Sequence, residues 1–320
     1  MTGVRQAIGL DVGGTKTAAA RVGADGSILA VERVPSPATD QGRLLEAAVE
    51  AARAVRTDDV EAVGIGAAGL VESATGMLTY APNLAWRNVG LAEHIGGALG
   101  LPAIADNDAT VATWGEYRFG AGRGTRHLLL VTVGTGIGGG IVTDGRIYRG
   151  AHGFAAEIGH IIMEPGGPLC GCGNRGCWEQ VASGHAIERA GREAAERYPH
   201  SGIARLAEGV PDRVTGSLVT RAAQDGDDTA RAILAKVGRR LGEGIAGLVN
   251  VLDPQIVVVG GGAVAAGDLL LEPARRAFVG AVEAPDARPD VPIVPAELGN
   301  DAGVVGAALL ALEELVGTAR

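Results

Sequence analysis

The feature that most constrains the fold is a strand–glycine turn–strand pattern that occurs twice. Residues 10–15 read LDVGGT and residues 131–136 read VTVGTG, a spacing of 121 positions. An Asp-Gly turn and a further strand follow each copy, at residues 25–28 and 144–147, a spacing of 119 positions. A supersecondary unit that recurs at a near-constant spacing indicates duplication. The sequence therefore predicts two similar halves, each built on its own hairpin.

Apolar runs of strand length alternate with stretches of helical spacing along the rest of the chain. Residues 60–66 and 256–259 are predicted strands, whereas 44–55, 184–197 and about 228–251 are predicted helices. Strands that alternate with helices in this way favour an α/β fold, in which helices flank mixed sheets.

The length of 320 residues is enough for two domains with sizeable cores. We expect a small N-terminal domain over 1–120 and a larger domain over 121–300, with a ligand cleft between them. Asp301 is predicted to cap a C-terminal helix that ends by residue 320 and packs back on the first domain. Residues 199–216 are predicted to be irregular and exposed.

Composition excludes several classes of function. The hydrophobic fraction of 47% indicates a globular chain, and the net charge of −9, with no basic run, argues against a nucleic-acid partner. The uncharged run from Leu128 to Val142 is threaded with glycine and threonine and is too short to span a membrane. The N-terminus lacks the pattern of a signal peptide, so a cytoplasmic location is expected.

All three cysteines fall within eight residues, at Cys170, Cys172 and Cys177, and His160 lies ten residues upstream of the first. Glycines at 171, 173 and 176 allow the backbone to turn tightly enough to direct three sulfur atoms at one point. Three thiolates and one imidazole form the closed tetrahedral set of a structural zinc ion. The alternative is three buried free thiols, which are common in protein cores.

Two carboxylates, Glu157 and Glu179, flank this stretch without an obvious cation beside them in sequence. If zinc binds one ring nitrogen of His160, the other nitrogen becomes a hydrogen-bond donor. A donor among carboxylates suits a ligand rich in hydroxyl groups, which is a first indication of a sugar.

The stretches EIGH (157–160), CGCGNRGCWE (170–179) and ASG (182–184) resemble the signature of the ROK family, which contains repressors and sugar kinases. Within that family they most resemble bacterial ATP-dependent glucokinases of the actinobacterial type. The resemblance covers nearly the whole chain. It implies the duplicated actin-like, ribonuclease-H-like fold of sugar kinases and the phosphorylation of glucose at its 6-hydroxyl by ATP with Mg²⁺.

Both glycine turns coincide with phosphate-binding motifs of the family. Successive backbone N–H groups at such turns can form a nest for phosphate oxygens, and a nearby carboxylate can hold Mg²⁺ through water. Neither turn is a Walker loop. The residues predicted to bind ATP are Asp11, Gly13, Gly14, Thr15 and Lys16 in the first motif, Thr135, Gly136 and Gly138 in the second, and Gly261 and Gly262 in an adenosine motif.

Asp108 is the predicted catalytic residue. It follows a predicted buried strand and precedes a helical stretch, 109–117, that either Asn107 or Asp108 caps. In the family, the aspartate of the Asn-Asp-Ala motif is the general base, and the resemblance assigns that role to Asp108. It also implies a sugar-binding set of Asn83, Asn107, Asp108, Glu157, His160 and Glu179. Trp86 suits a core position or a sugar platform equally.

Two positions depart from the family pattern: Thr110 replaces an asparagine and Ala156 replaces a glycine. The alternatives left open are a sister kinase for N-acetylhexosamine, mannose or fructose, a sugar-sensing repressor, and a non-catalytic sugar-binding protein. Only seven residues precede the first predicted strand, so a DNA-binding domain is not expected. Polyphosphate is a possible donor, although family members that use it generally lack the cysteines. A homodimer or homotetramer is expected.

Overall fold

The computed structural model describes residues 4–81 and 86–317 and divides into two compact units. The first unit comprises the described residues up to Leu130, Gly140–Ala156, and the described residues from Ala296 onward. The second unit comprises Val131–Gly139 and Glu157–Pro295. The predicted domain ranges stay a prediction, and the compact units do not coincide with them, because residues 121–130 and 140–156 lie in the first unit.

The strands in chain order are β1 (Gln6–Val12), β2 (Lys16–Gly23), β3 (Ile28–Pro35), β4 (Val60–Ala67), β5 (Leu70–Glu72), β6 (Met77–Tyr80), β7 (Arg87–Gly90), β8 (Ala103–Asn107), β9 (Leu128–Val133), β10 (Ile137–Thr143), β11 (Arg146–Ile147), β12 (Ile256–Gly260) and β13 (Ile293–Pro295). The α-helices are α1 (Gln41–Val55), α2 (Leu91–Leu99), α3 (Asp108–Phe119), α4 (Glu179–Ala182), α5 (Gly184–Arg197), α6 (Gly202–Leu206), α7 (Gly216–Gln224), α8 (Asp228–Leu252), α9 (Asp268–Ala281) and α10 (Ala302–Ala311).

Two five-stranded sheets share one topology. Their strand orders are β3-β2-β1-β4-β8 and β11-β10-β9-β12-β13, and a third sheet has the order β5-β6-β7. In the first sheet, β1, β4 and β8 are parallel, whereas β2 and β3 are antiparallel. The first hairpin has its strand ends at Val12 and Lys16, and the second at Val133 and Ile137, 121 positions later in each case. The duplicated α/β fold with mixed sheets is therefore confirmed.

Helix α10 packs against the first sheet at unusually short distances. All ten of its residues are buried. A Cβ on Gly64 of β4 would lie 1.8 Å from the carbonyl oxygen of Ala307, and a Cβ on Gly9 of β1 would lie 1.8 Å from that of Val304. On the opposite side, a Cβ on Gly306 would lie 1.7 Å from the carbonyl oxygen of Val111 in α3. Glycine alone therefore permits α10 to lie between the sheet and α3.

Two local predictions are wrong, and one sheet was not predicted. Residues 199–216 are not irregular and exposed, because they contain α6, in which Ile203 is 0% exposed. The side chain of Asp301 makes no capping hydrogen bond to α10. It accepts a hydrogen bond from Arg33 instead, at 3.0 Å. The third sheet, β5-β6-β7, was not predicted, since its strands have only three or four residues each and show no readable period.

The structure also bears on two other sequence features, the uncharged run 128–142 and Trp86. Residues 128–142 form β9 and most of β10, and no helix within the described parts of the chain is both long and apolar enough to cross a membrane. Trp86 is 0% exposed and belongs to the core of the first unit, which decides between the two alternatives for this residue.

We expect Gly64→Ala to destabilise the protein by about 1–3 kcal/mol or more, because its Cβ would displace the backbone of α10. The control is Gly97→Ala in α2, where a Cβ meets nothing within 4 Å, so a gain of about 0.5–1 kcal/mol in helix propensity is expected. Urea denaturation gives both values. Equal stability of the two variants would contradict the packing described for α10.

Candidate functional site

The carboxyl edge of the first sheet brings two aspartates together. In the parallel register, Asp11 of β1 pairs with Gly66 of β4, and Ala67 of β4 pairs with Asn107 of β8, after which Asp108 opens α3. A Cβ on Gly66 would lie 2.5 Å from Val111 Cγ2 and 3.5 Å from Asp108 Cα. The glycine in the middle strand therefore lets the start of α3 lie directly over this edge.

Both aspartates have raised pKa values. Burial raises the pKa of Asp11 to about 6; the negative charge of Asp108 adds to the rise, and the ammonium of Lys16 opposes it. Burial also raises the pKa of Asp108, against the effect of the Ala109 N–H, which donates to its Oδ1 at 2.9 Å. Two carboxylates with perturbed pKa values at one sheet edge are typical of a functional site.

Asn107, and not Asp108, caps α3. Its Oδ1 accepts hydrogen bonds from the N–H groups of Ala109 and Thr110, at 2.9 and 3.1 Å, and its Nδ2 donates to the carbonyl oxygen of Gly69 at 3.1 Å. Asp108 is therefore not needed as the cap. The side chain of Asn107 also forms a hydrogen bond with Asp108, which opposes the rise in the pKa of that carboxyl.

The first glycine turn is held by its own backbone. The N–H of Gly13 donates to the carbonyl oxygen of Lys16 at 3.2 Å, and the carbonyl oxygen of Thr15 accepts from the N–H of Ser36 at 3.0 Å. Gly14, Thr15 and Lys16 are exposed. The turn thus presents backbone, a hydroxyl and an ammonium to solvent, in the first unit together with Asp11 and Asp108.

The second glycine turn is held by the start of α5. The carbonyl oxygens of Gly134 and Thr135 accept from the N–H groups of Gly184 and His185, at 2.8 and 3.2 Å. A Cβ on Gly184 would lie 2.5 Å from the carbonyl oxygen of Gly134. With its carbonyl groups engaged in this way, the turn can direct N–H groups toward an anion.

A cavity of about 630 Å³ in the second unit borders this turn. Its walls include Gly134 and Thr135, the first residues of α5 and α7, and Gly262. Thr215 caps α7 by accepting from the N–H of Leu218 at 3.3 Å. Gly261, at φ +86°, packs against the end of β9, where a Cβ would lie 2.6 Å from the backbone of Val133. Helix N-termini and glycine backbone favour anionic or polar ligands here.

The sequence predicted Thr135 and Gly262 but not most of the remaining residues of the cavity wall. Thr215, Ser217 and Gln224 come from α7 and the residue before it. The threonine–glycine pair at 215–216 could have indicated a helix start. No local pattern indicated that this start lies beside the hairpin turn.

The four predicted metal ligands are brought together. The ligand atoms of His160, Cys170, Cys172 and Cys177 all lie within 4.8 Å of one another. The Sγ atoms of Cys172 and Cys177 are 3.6 Å apart, and Cys170 Sγ is 3.6 Å from His160 Nδ1. Tetrahedral zinc with sulfur and nitrogen ligands needs edges of about 3.5–3.8 Å, so the set fits zinc. His160 Nε2 is then the ring nitrogen left to donate.

Glu179 connects this cluster with the second glycine turn. Its Oε1 lies 2.9 Å from Cys170 Sγ and 4.0 Å from His160 Nδ1. A Cβ on Gly136 would lie 2.3 Å from its Oε2, and a Cβ on Gly159 would lie 2.1 Å from the carbonyl oxygen of Ile137. The cysteine stretch therefore packs directly against the hairpin.

The remaining members of the predicted sugar-binding set are Glu157 and Asn83. Glu157 is exposed and precedes the 3-10 turn Ile158–His160, where its carbonyl oxygen accepts from the N–H of His160 at 3.1 Å. Asn83 lies outside the described residues.

Comparisons with known proteins agree with this arrangement. The model of the ROK family matches residues 7–314. A glucokinase of Streptomyces coelicolor is 43% identical over 310 residues, covering 96% of this chain and 97% of that protein. A glucokinase of Thermotoga maritima is 38% identical over 322 residues, covering 97% and 98%. The crystal structure of a ROK family glucokinase from Streptomyces griseus, in complex with glucose and AMPPNP, aligns with a TM-score of 0.88 at 42% identity, covering 96% and 99%.

The raised pKa of Asp11 predicts a pH dependence of stability. Because the folded pKa of about 6 exceeds the unfolded value of 3.8, the unfolding free energy falls as the pH rises from about 4 to 6 and then stays level. Asp11→Asn removes this loss. The unfolding free energy of the variant minus that of the wild type should therefore be about 1–3 kcal/mol larger at pH 8 than at pH 4.

Urea denaturation at the two pH values, without nucleotide or Mg²⁺, measures this difference. The control is Asp268→Asn, whose side chain is 84% exposed in the wild type and should show the wild-type pH dependence. The assignment of a buried charge at Asp11 is wrong if the gain from Asp11→Asn is the same at both pH values.

Proposed function

The chain belongs to the ROK family, and from that premise we propose that it is an ATP-dependent glucokinase, which transfers the γ-phosphoryl group of ATP to the 6-hydroxyl of glucose. Sequence identity to glucokinases, together with a pair of aspartates at one sheet edge, supports this proposal. Glucokinases share 38–43% identity with this chain over nearly its full length. The chain also holds two half-buried aspartates with raised pKa values, Asp11 and Asp108, at one sheet edge.

Asp108 acts as the base. A carboxylate is too weak to remove a proton from a free sugar hydroxyl, but in a loose transition state it needs only to orient the hydroxyl and accept its proton late. The bond from O6 to the γ-phosphorus forms, the bond from that phosphorus to the β–γ bridging oxygen breaks, and ADP leaves. The raised pKa of Asp108 suits a group that takes up a proton at this stage.

The first glycine turn binds the phosphates of ATP. Lys16 supplies positive charge against the transferred phosphoryl group, and the turn from Gly13 to Thr15 supplies N–H donors. Asp11 would hold the Mg²⁺ that accompanies ATP, and that ion would supply positive charge against the phosphates. The same cation would keep the carboxylate of Asp11 ionised.

The second unit contributes the nucleotide pocket. The cavity beside Gly134 and Thr135 is large enough for a nucleoside. Gly136 completes the turn and is predicted to face the phosphates. Gly138 lies in β10, where its N–H donates to Thr132 Oγ1 at 3.2 Å, so its part in phosphate binding would be to shape the hairpin. Gly261 shapes the bend that lets Gly262 line this cavity. The wall residues Thr215 and Ser217 offer hydroxyl groups to the nucleoside.

Sugar recognition uses mixed donors and acceptors. We assign hydroxyl contacts to Asn83, to the side-chain amide of Asn107, to Glu157 and Glu179, and to Nε2 of His160. Such contacts discriminate against a sugar that lacks one hydroxyl, because a polar group would then stay unpaired.

Zinc would be held by His160, Cys170, Cys172 and Cys177, and it would supply a rigid closed tetrahedral centre without an open position for chemistry. Burial raises the pKa of the Cys170 and Cys177 thiols, so metal binding has to displace their protons and should weaken at low pH. A homodimer or homotetramer and a cytoplasmic location stay predictions.

A coupled assay of ADP release, run with a panel of hexoses and with ATP or polyphosphate as donor, tests the proposed activity. Glucose with ATP should give the highest kcat/KM. Preference for N-acetylmannosamine, mannose or fructose would support a sister kinase, and no turnover with any sugar would contradict a kinase.

Asp108→Asn should lower kcat by about 10²–10⁴-fold, the range expected for loss of a positioned general base. Glucose binding by calorimetry should survive, because the amide still forms hydrogen bonds. Asp228→Asn serves as a matched control, since Asp228 lies at the start of another helix, α8, in the second unit. Turnover of Asp108→Asn near the wild-type rate would exclude Asp108 as the base.

Cys172→Ala should release zinc and raise the KM for glucose by about 10–100-fold, as expected for loss of a support to ligand-binding side chains. The effect on the KM for ATP should be smaller, because the start of α5 also holds the second glycine turn. Elemental analysis and circular dichroism establish zinc loss and retained folding. A folded, zinc-free variant with the wild-type KM for glucose would show that sugar binding does not depend on the metal, and would contradict this prediction.

A further inference from the structure

Strand β8 carries Asn107 and leads into Asp108, yet it has a strand neighbour on one side only. It lies at the end of the first sheet, where residues Ala103–Asn107 pair with Val63–Ala67 of β4. Within the described residues no strand pairs with its other side. An edge strand that must hold a reactive group in place therefore needs side-chain contacts to fix its end.

Arg149 makes such a contact. Asp106, the residue before Asn107, is 2% exposed, and both of its carboxylate oxygens are used. Oδ1 accepts from the N–H of Asn107 at 2.8 Å, and Oδ2 accepts from Nε of Arg149 at 2.6 Å. The other arm of the same guanidinium donates from a terminal nitrogen to Oε1 of Glu314 at 2.7 Å. Arg149 thus ties the end of β8 to the C-terminal turn, Leu312–Val316, which follows α10.

Asp106 is buried and Arg149 is half-buried, which makes their ion pair costly to break. Burial raises the pKa of Asp106, and the guanidinium of Arg149 opposes that rise. Removing Arg149 leaves the buried carboxylate of Asp106 uncompensated, which is strongly destabilising, and we expect the neighbouring backbone to shift in response. The neighbouring backbone here is that of Asn107, the cap of α3, and of Asp108.

The segment that carries Arg149 is itself fixed within the first unit. The carbonyl oxygen of Arg149 accepts from the N–H of Ala155 at 3.2 Å, and that of His152 accepts from the N–H of Ser73 at 3.4 Å. A Cβ on Gly153 would lie 2.5 Å from the carbonyl oxygen of Val71. The guanidinium therefore projects from a segment anchored to the third sheet.

The C-terminal turn also holds the far end of α3. Glu313, next to Glu314, forms an ion pair with Arg118 in the last turn of α3. The helix that begins with Asp108 is consequently tied at both ends to the same short segment, through Arg149 at its start and through Arg118 at its end.

We propose that Arg149 is a positioning residue for phosphoryl transfer, which holds Asp108 in its working position through Asp106 without contacting either substrate. This inference rests on the proposed glucokinase function. It accounts for a half-buried arginine that makes none of the proposed phosphate or sugar contacts.

Arg149→Met should lower kcat, per mole of folded enzyme at saturating glucose and ATP, by about 10–100-fold, the loss that a displacement of about 1 Å can cause. The KM for ATP should change by less than about threefold, because no proposed ATP contact involves Arg149. Arg149→Lys, which restores the charge without the two-armed geometry, should recover part of the lost kcat. The control is Arg276→Met, which removes an exposed arginine paired with Glu272 in α9 and should keep the wild-type kcat.

Assays run well below the melting temperature separate positioning from stability alone. A lower melting temperature with the wild-type kcat in Arg149→Met would overturn the proposal. If Arg149→Met fails to fold, the double variant Asp106→Asn with Arg149→Met, which buries no unpaired charge, takes its place. Reduced kcat in the folded double variant supports the proposal, and the wild-type kcat overturns it. Wild-type enzyme that does not phosphorylate glucose would instead contradict the proposed function.

Discussion

The site depends on the parallel pairing of β1, β4 and β8 and on the close packing of α10 against two of these strands. Because Gly9 and Gly64 lack a Cβ, the backbone of α10 reaches the sheet directly, and Gly306 lets it reach α3 as well. The start of α3 is therefore positioned by backbone packing. A base for phosphoryl transfer has to be placed to within a fraction of an ångström. The backbone contacts fix the body of α3, and the contact of Arg149 with Asp106 fixes the end of β8 that leads into it.

The same packing imposes an electrostatic cost. Asp11 and Asp108 are half-buried near each other, and each has a raised pKa. A chain selected for stability alone would not place two carboxylates there. Proteins commonly give up stability at sites that bind charged ligands. Here a cation that accompanies ATP, together with Lys16, would compensate the charge, so the site is least stable when it is empty and ionised.

Much of the site could be predicted because its residues are close in sequence. The glycine turns and the His160 and cysteine set each follow a short local pattern, and the hairpin repeat indicated the shared sheet topology. The role predicted for Asp108 came from the family resemblance, because its position before a helix by itself favours a cap. Contacts between distant segments could not be predicted. Arg149 and Asp106 are 43 positions apart, and Thr215 approaches the turn at Gly134 only after folding. Very short elements such as α6 were missed because five residues show no period, and Asp301 failed as a cap because Arg33 binds its carboxylate.

The central claim is that Asp108 and the glycine turns serve transfer of the γ-phosphoryl group to a sugar hydroxyl. Phosphorus-31 NMR of a reaction of purified protein with ATP, Mg²⁺ and glucose tests it most directly. The account predicts that the γ-phosphate signal is replaced by a phosphate monoester coupled to the two protons on C6 of glucose, with ADP formed in equal amount. Release of inorganic phosphate alone, or a monoester on another carbon, would contradict it.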